Sequence, residues 1–65
     1  MEKARRQFDL VTKMEPNNAG AYYNRGLCSE MLNDKASAAA DYRQALTFDK
    51  NNHAASEGLR RLSEK

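Results

Sequence analysis

The sequence predicts an all-α fold, and three observations carry that prediction. No isoleucine occurs and Val11 is the sole aliphatic β-branched residue, whereas strands favour Val, Ile, Thr and aromatic residues. Ten alanines, six leucines and many Glu, Lys, Arg and Gln make up much of the chain, and these residues favour helix. Apolar positions also recur at helical spacing. Ala4, Phe8, Val11 and Met14 stand at i, i+4, i+7 and i+10, and Ala38, Tyr42, Ala45 and Phe48 repeat that pattern.

Length and charge narrow the reading further. The 65 residues make one small domain, 40% hydrophobic and 31% charged, whose apolar content is heavy in alanine. Such a chain fills a thin core and buries only about 60% of its unfolded surface. Eleven basic residues against nine acidic ones leave a net charge of +2. That charge is too small and too interspersed for a phosphate-binding footprint. No apolar run approaches the length of about 18 residues needed to span a bilayer, and the N-terminal residues lack the apolar stretch of a signal peptide. Cys28 has no cysteine with which to pair, which points to a reducing compartment and a cytoplasmic location.

The chain repeats itself with an offset of 34 residues. Glu15-Pro16-Asn17-Asn18 falls on Asp49-Lys50-Asn51-Asn52, Ala4 on Ala38, Phe8 on Tyr42, Val11 on Ala45 and Ala21 on Ala55. Helical punctuation agrees with this register. Pro16 ends a first segment, because the residue before a proline is pushed out of the helical region. Asn17-Asn18 then offers capping oxygens to a second helix over about residues 19–32. That helix stops at Asn33, a residue that tolerates the left-handed conformation, and Asp34 caps a third helix over about 35–48. Asn52 caps a last helix over about 53–63. The short connections make neighbouring helices antiparallel.

The second segment differs from the others. Tyr22, Gly26 and Ser29 form a stripe that contains small residues, flanked by Ala21, Cys28 and Leu32 on one side and Tyr23, Leu27 and Met31 on the other. A helix with apolar groups on two sides contacts more than one neighbour. Gly26 in mid-helix costs about 1 kcal/mol relative to alanine, and close approach of another helix would offset it.

These residues resemble the tetratricopeptide repeat family, whose unit is a helix–turn–helix of 34 residues. Tyr22 and Gly26 stand at the aromatic and small positions of the unit's first helix. Ala38, Tyr42 and Ala45 match the small, aromatic and small positions of its second, and Pro16 matches the repeat-ending proline. The departures are Arg25 for a leucine, Ser29 for an aromatic and Lys50 for the second proline, which predicts a looser second junction. The resemblance implies a solenoid fragment of about four helices. Residues 1–16 form the second helix of a truncated preceding repeat, 17–52 a complete unit, and 53–65 a capping helix. Arg60, Arg61, Glu64 and Lys65 of that last segment suit a solvated outer face. On this organisation the chain is expected to be an excised C-terminal piece of a longer array.

No catalytic set can be assembled, so an enzyme is not expected, nor is any cofactor or metal. Cys28 lies on an apolar stripe and His53 at a helix start, and one of each satisfies no zinc pattern. The resemblance implies that first helices line a concave face holding a protein, a peptide or a partner helix, with Tyr23, Asn24, Leu27, Glu30 and Met31 of this chain facing the groove. The plain alternative is that the Tyr23–Leu27–Met31 line packs on a neighbouring helix. Asn24 matches an asparagine of the repeats that clamp a C-terminal carboxylate, but Ala54 and Gly58 stand where that clamp needs basic residues. The expected function is therefore a non-enzymatic protein-interaction module or scaffold segment. An alternative is self-assembly: Phe8, Leu10, Val11 and Met14 would lack a covering helix, so a homo-oligomer is expected. Nucleic-acid binding through Arg5-Arg6 and Arg60-Arg61 is a weaker third reading, since both pairs read as solvated helix faces.

Overall fold

The computed structural model describes residues 2–63, which form four helices and no strand. They are α1 (Glu2–Met14), α2 (Ala19–Met31), α3 (Lys35–Phe48) and α4 (His53–Ser63). Met1, Glu64 and Lys65 lie outside the described residues, so the outer-face reading of Glu64 and Lys65 does too.

Local chemistry sets each helix end. The Asn18 side chain accepts from the Ala21 N–H at 3.0 Å, that of Asp34 from Ser37 at 3.3 Å, and that of Asn52 from Ala55 at 3.0 Å. All three are the capping residues expected from sequence, and each satisfies an otherwise orphaned donor. Asn33 adopts φ 64°. Around it the Asp34 N–H donates to the Ser29 carbonyl at 2.8 Å and the Asn33 N–H to Glu30 at 3.0 Å, the paired bonds of a Schellman ending. The second junction is not looser for want of a proline. The Asn52 N–H donates to the Asp49 carbonyl at 3.1 Å, just as Asn18 donates to Glu15 at 3.0 Å. The Asp49 carboxylate also accepts from Asn51 at 3.1 Å, so a side chain stiffens the turn where the proline is missing.

The helices pack as two layers. α2 lies against both α1 and α3, and α4 against α3 and α2, while α1 and α3 do not pack on each other. The Cα envelope is 34 × 26 × 14 Å. Its smallest dimension matches two helices about 9 Å apart with Cα radii of about 2.3 Å.

The core is small residues around one large ring. Ala38, Tyr42, Ala45 and Ala55 are fully buried, with Tyr22, Tyr23, Leu46, Leu59 and Leu62 packed around them. A Cβ built on Gly26 of α2 would lie 2.9 Å from the Tyr42 ring, and one built on Gly58 of α4 would lie 2.6 Å from it. The ring of α3 is thus seated between two glycines on two different helices. Tyr22 stacks on Phe48 with ring centroids 5.6 Å apart, closing the other end of the α2–α3 seam. Cys28 is buried, as its place on α2 implies.

The α1 stripe of Ala4, Phe8, Val11 and Met14 is not the face that α2 covers most fully. Thr12 is the buried residue of α1, Ala4, Phe8 and Val11 are half-buried, and Met14 is 79% exposed. Polar contacts from Arg5, Asp9 and Thr12 draw α1 onto α2 instead.

The Tyr42 seat predicts the effect of adding one methyl group. Alanine in place of a mid-helix glycine normally stabilises by up to about 1 kcal/mol. Gly58→Ala should instead destabilise, because overpacking a fixed ring costs about 1–3 kcal/mol. Chemical denaturation checks this; a variant more stable than the parent would show that the ring is not seated on α4.

Candidate functional site

Two ionic assemblies organise the surfaces on either side of the core. The first is centred on Arg25 of α2. Its Nε and Nη2 donate to the two oxygens of Asp41 on α3 at 2.9 and 2.6 Å. Nη1 donates to Asp9 at 2.7 Å and to the Thr12 hydroxyl at 2.9 Å, both on α1. The guanidinium also lies 5.5 Å from the centroid of the Tyr22 ring. The Asp41 side chain is only 8% exposed, so it requires this partner. Hydrogen bonding from Asp41 is the main cause of a raised Arg25 pKa, opposed by burial. Arg25, which departs from the family's leucine, is therefore no packing defect.

Ser29 is likewise no defect. It is buried, and Arg5 of α1 reaches its hydroxyl at 3.3 Å while also bonding Asp34 at 3.2 Å and Glu2 at 3.1 Å. These residues, with Arg6, Ser37 and Ala40, line an open charged groove of about 470 Å³ between α1 and α3.

The second assembly joins α2, α3 and α4. The Tyr42 hydroxyl donates to Glu30 Oε1 at 2.7 Å. Arg61 of α4 donates to the same carboxylate through Nη2 at 2.7 Å and Nε at 2.8 Å. Arg61 thus reaches across to α2 while its side chain stays 50% exposed, whereas Arg60 pairs locally with Glu57 at 2.6 Å. Arg61's hydrogen bonds are the largest cause holding the Glu30 carboxyl down to about 2; partial burial works against them and Tyr42 adds to them. Burial first, and Glu30 second, push the Tyr42 phenol up.

Of the expected groove residues, Tyr23, Asn24, Leu27 and Glu30 are half-buried and Met31 is 66% exposed. Tyr23 lies against the core, its ring centroid 5.8 Å from that of Tyr42. Glu30 already has two partners. The Tyr23–Leu27–Met31 line therefore runs from the core at one end to solvent at the other. Of the expected association residues, Phe8 and Val11 are half-buried, while Leu10 and Met14 are exposed at 56% and 79%. Among the described residues no cluster of side chains could hold a metal ion. Cys28 is buried on α2 and His53 is exposed at the start of α4.

The sequence profile of the tetratricopeptide repeat matches residues 19–52, from the first residue of α2 to the cap of α4. The chain belongs to the tetratricopeptide repeat family. The repeats of this family mediate protein–protein interaction. A mouse (Mus musculus) relative, "FK506-binding protein-like", is 38% identical over 56 residues, or 86% of this chain. The chain spans 16% of that relative's length. No solved structure matches the sequence significantly. Among the described residues, no helix of this tetratricopeptide repeat chain is long and apolar enough to cross a membrane.

The Glu30 pairing has a definite acid signature. A carboxyl whose folded pKa is depressed stabilises the fold above its unfolded value and loses that contribution as pH falls toward the folded one. Glu30 should therefore support the fold fully above its ordinary pKa of 4.5 and lose that support down to about 2. Asp34 and Glu57, also held below their ordinary values, add to the decline. Melting curves across this window should fall less steeply for Glu30→Gln than for the parent. Glu30→Ala should cost about 1–3 kcal/mol at neutral pH, since it leaves the buried Tyr42 hydroxyl unpaired. Parallel pH profiles for the parent and Glu30→Gln would contradict this pairing.

Proposed function

We propose that the α2–α4 face receives a peptide or a partner helix, so that the chain serves as a non-enzymatic binding segment of a protein scaffold in the cytoplasm. The observation that carries this reading is the exposure of Met31 at the end of a continuous line with Leu27 and Tyr23. The Tyr42 seat and the Glu30–Arg61 pair hold the two helices of this face in fixed relation. The line then offers apolar area on a rigid backing, which reduces the ordering cost of association. Asn24, half-buried one residue after Tyr23, supplies an amide that can pair with a peptide backbone. Glu30 belongs to this face, but its charge is balanced by Arg61. Its part is to hold the wall rather than to attract a cation.

Peptides selected from a random library test the reading. Amide and methyl shifts on binding should concentrate at Tyr23, Asn24, Leu27 and Met31. Met31→Glu should weaken the selected peptides about tenfold, or about 1.4 kcal/mol, without altering helix content. Shifts confined to α1 and α3 would remove the proposal.

The exposure of Met14 beside half-buried Val11 favours a second reading, in which another copy of the chain covers the α1 edge formed by Phe8, Val11 and Met14, with Leu10 beside it. Burying two such side chains contributes about 3–6 kcal/mol, comparable with the whole stability of a domain this small. Sedimentation should then show mass rising with concentration, and Phe8→Glu should abolish that rise. A monomer at every concentration would rule out the second reading.

A further inference from the structure

The outward face of α1 carries a chemistry that neither assembly uses. Lys3, Arg6, Gln7, Leu10, Lys13 and Met14 stand at i, i+3, i+4, i+7, i+10 and i+11, which places them on one side of the helix. All six are exposed, and Leu10 and Met14 are 56% and 79% exposed. The face is opposite Thr12, the residue buried against α2, and so is distinct from the Tyr23–Leu27–Met31 line.

The charges on this face are of one sign. The acids beside it are already engaged: Glu2 by Arg5, and Asp9 chiefly by Arg25 at 2.7 Å, with Lys13 at 3.4 Å. Asp34 and Asp41, across the neighbouring groove, are held by Arg5 and Arg25. Among the described residues Lys3 and Arg6 enter no ion pair, and they flank the exposed Leu10. We propose that this face docks an acidic amphipathic helix of a partner protein, with apolar residues on Leu10 and Met14 and carboxylates opposite Lys3, Arg6 and Lys13.

Complementarity selects this occupant. A second copy placed face to face on this basic row, and not on the Phe8–Val11 edge, would oppose Lys3, Arg6 and Lys13 to one another, and like charges in contact disfavour pairing. Two exposed apolar side chains give little to insert into a bilayer, and one short basic row without an exposed aromatic gives a nucleic acid no stacking platform. An acidic helix satisfies both the apolar pair and the cations. Its association should be accelerated at low ionic strength and weakened by salt.

The test uses the full chain and a fluorescent synthetic helix carrying an apolar stripe flanked by glutamates, with a lysine-for-glutamate version as counterpart. The glutamate helix should bind and the lysine helix should not. Arg6→Glu combined with Lys3→Glu should weaken binding at least about tenfold, and Leu10→Ser should weaken it several-fold. Circular dichroism should show the parent's helix content in each variant, since these side chains face solvent. Met31→Glu, on the other face, should leave the affinity unchanged. Equal binding of both helices, or indifference to the charge reversals, would falsify the proposal. So would binding of phosphatidylserine vesicles or single-stranded RNA in place of the glutamate helix, or a self-associated species that excludes it.

Discussion

The seat of Tyr42 between Gly26 and Gly58 is the constraint on which the rest of the structure depends. One aromatic ring on α3 fills the space that two absent side chains leave on α2 and α4. In a core built mainly of alanines, no other fully buried side chain among the described residues approaches its volume. The ring is therefore the largest side chain buried where the three helices meet. Its hydroxyl continues the same function in polar form, reaching Glu30 and through it Arg61. The spacing of α2, α3 and α4 and the wall of the α2–α4 face thus trace to a single side chain. The two glycines accept their cost in helix propensity because any Cβ would push the ring away.

α1 is attached by a different kind of force. The family pattern places a leucine where this chain has Arg25, and an apolar side chain there would join two helices by burial alone. Arg25 instead draws a carboxylate from each neighbour, Asp9 from α1 and Asp41 from α3. Ion pairs of this kind are costly to desolvate, and their net contribution to stability is modest. Their geometry, however, is demanding. A guanidinium that bonds one carboxylate through two nitrogens and another through the third fixes the rotation of all three helices. Arg5, bonded to Ser29 and Asp34, repeats the device one turn further along α2. The half-buried apolar stripe of α1 is what remains when a helix is oriented by charge rather than by its largest side chains.

The parts legible in the sequence were those written in local chemistry. Asn18, Asp34 and Asn52 cap because each oxygen reaches a donor three residues on, and Asn33 ends α2 because it tolerates a positive φ. The 34-residue offset aligned Phe8 with Tyr42 and so identified the core ring, and Gly26 announced a close approach. The partner at that approach was hidden, since Gly58 has no counterpart in the repeat register: it aligns with Asn24. The ionic assemblies were hidden for a related reason. Glu30 and Arg61 are 31 residues apart, and Arg25 and Asp41 are 16 apart, so no helical spacing connects them. The signal available was negative. A charged residue on a helix with apolar stripes on two sides must find an opposite charge, and Asp41 beside the core tyrosine was the acid least able to remain unpaired.

This division between ring and ions also distributes charge over the two layers. On the α2–α4 face the charge of Glu30 is cancelled by Arg61. Under the proposed function, recognition there rests on shape and apolar area, from Tyr23 to Met31, with Asn24 as the polar contact. On the α1 side the acids are drawn inward by Arg25 and Arg5, and Lys3 and Arg6 outside enter no ion pair among the described residues, while Lys13 shares Asp9 at 3.4 Å. The interior pairing that orients α1 is therefore what makes its outer face positive. A chain with a net charge of only +2 acquires a surface of one sign because most of its carboxylates are engaged elsewhere. Two faces of unlike chemistry, one neutral and apolar and one basic, follow from one set of helix contacts.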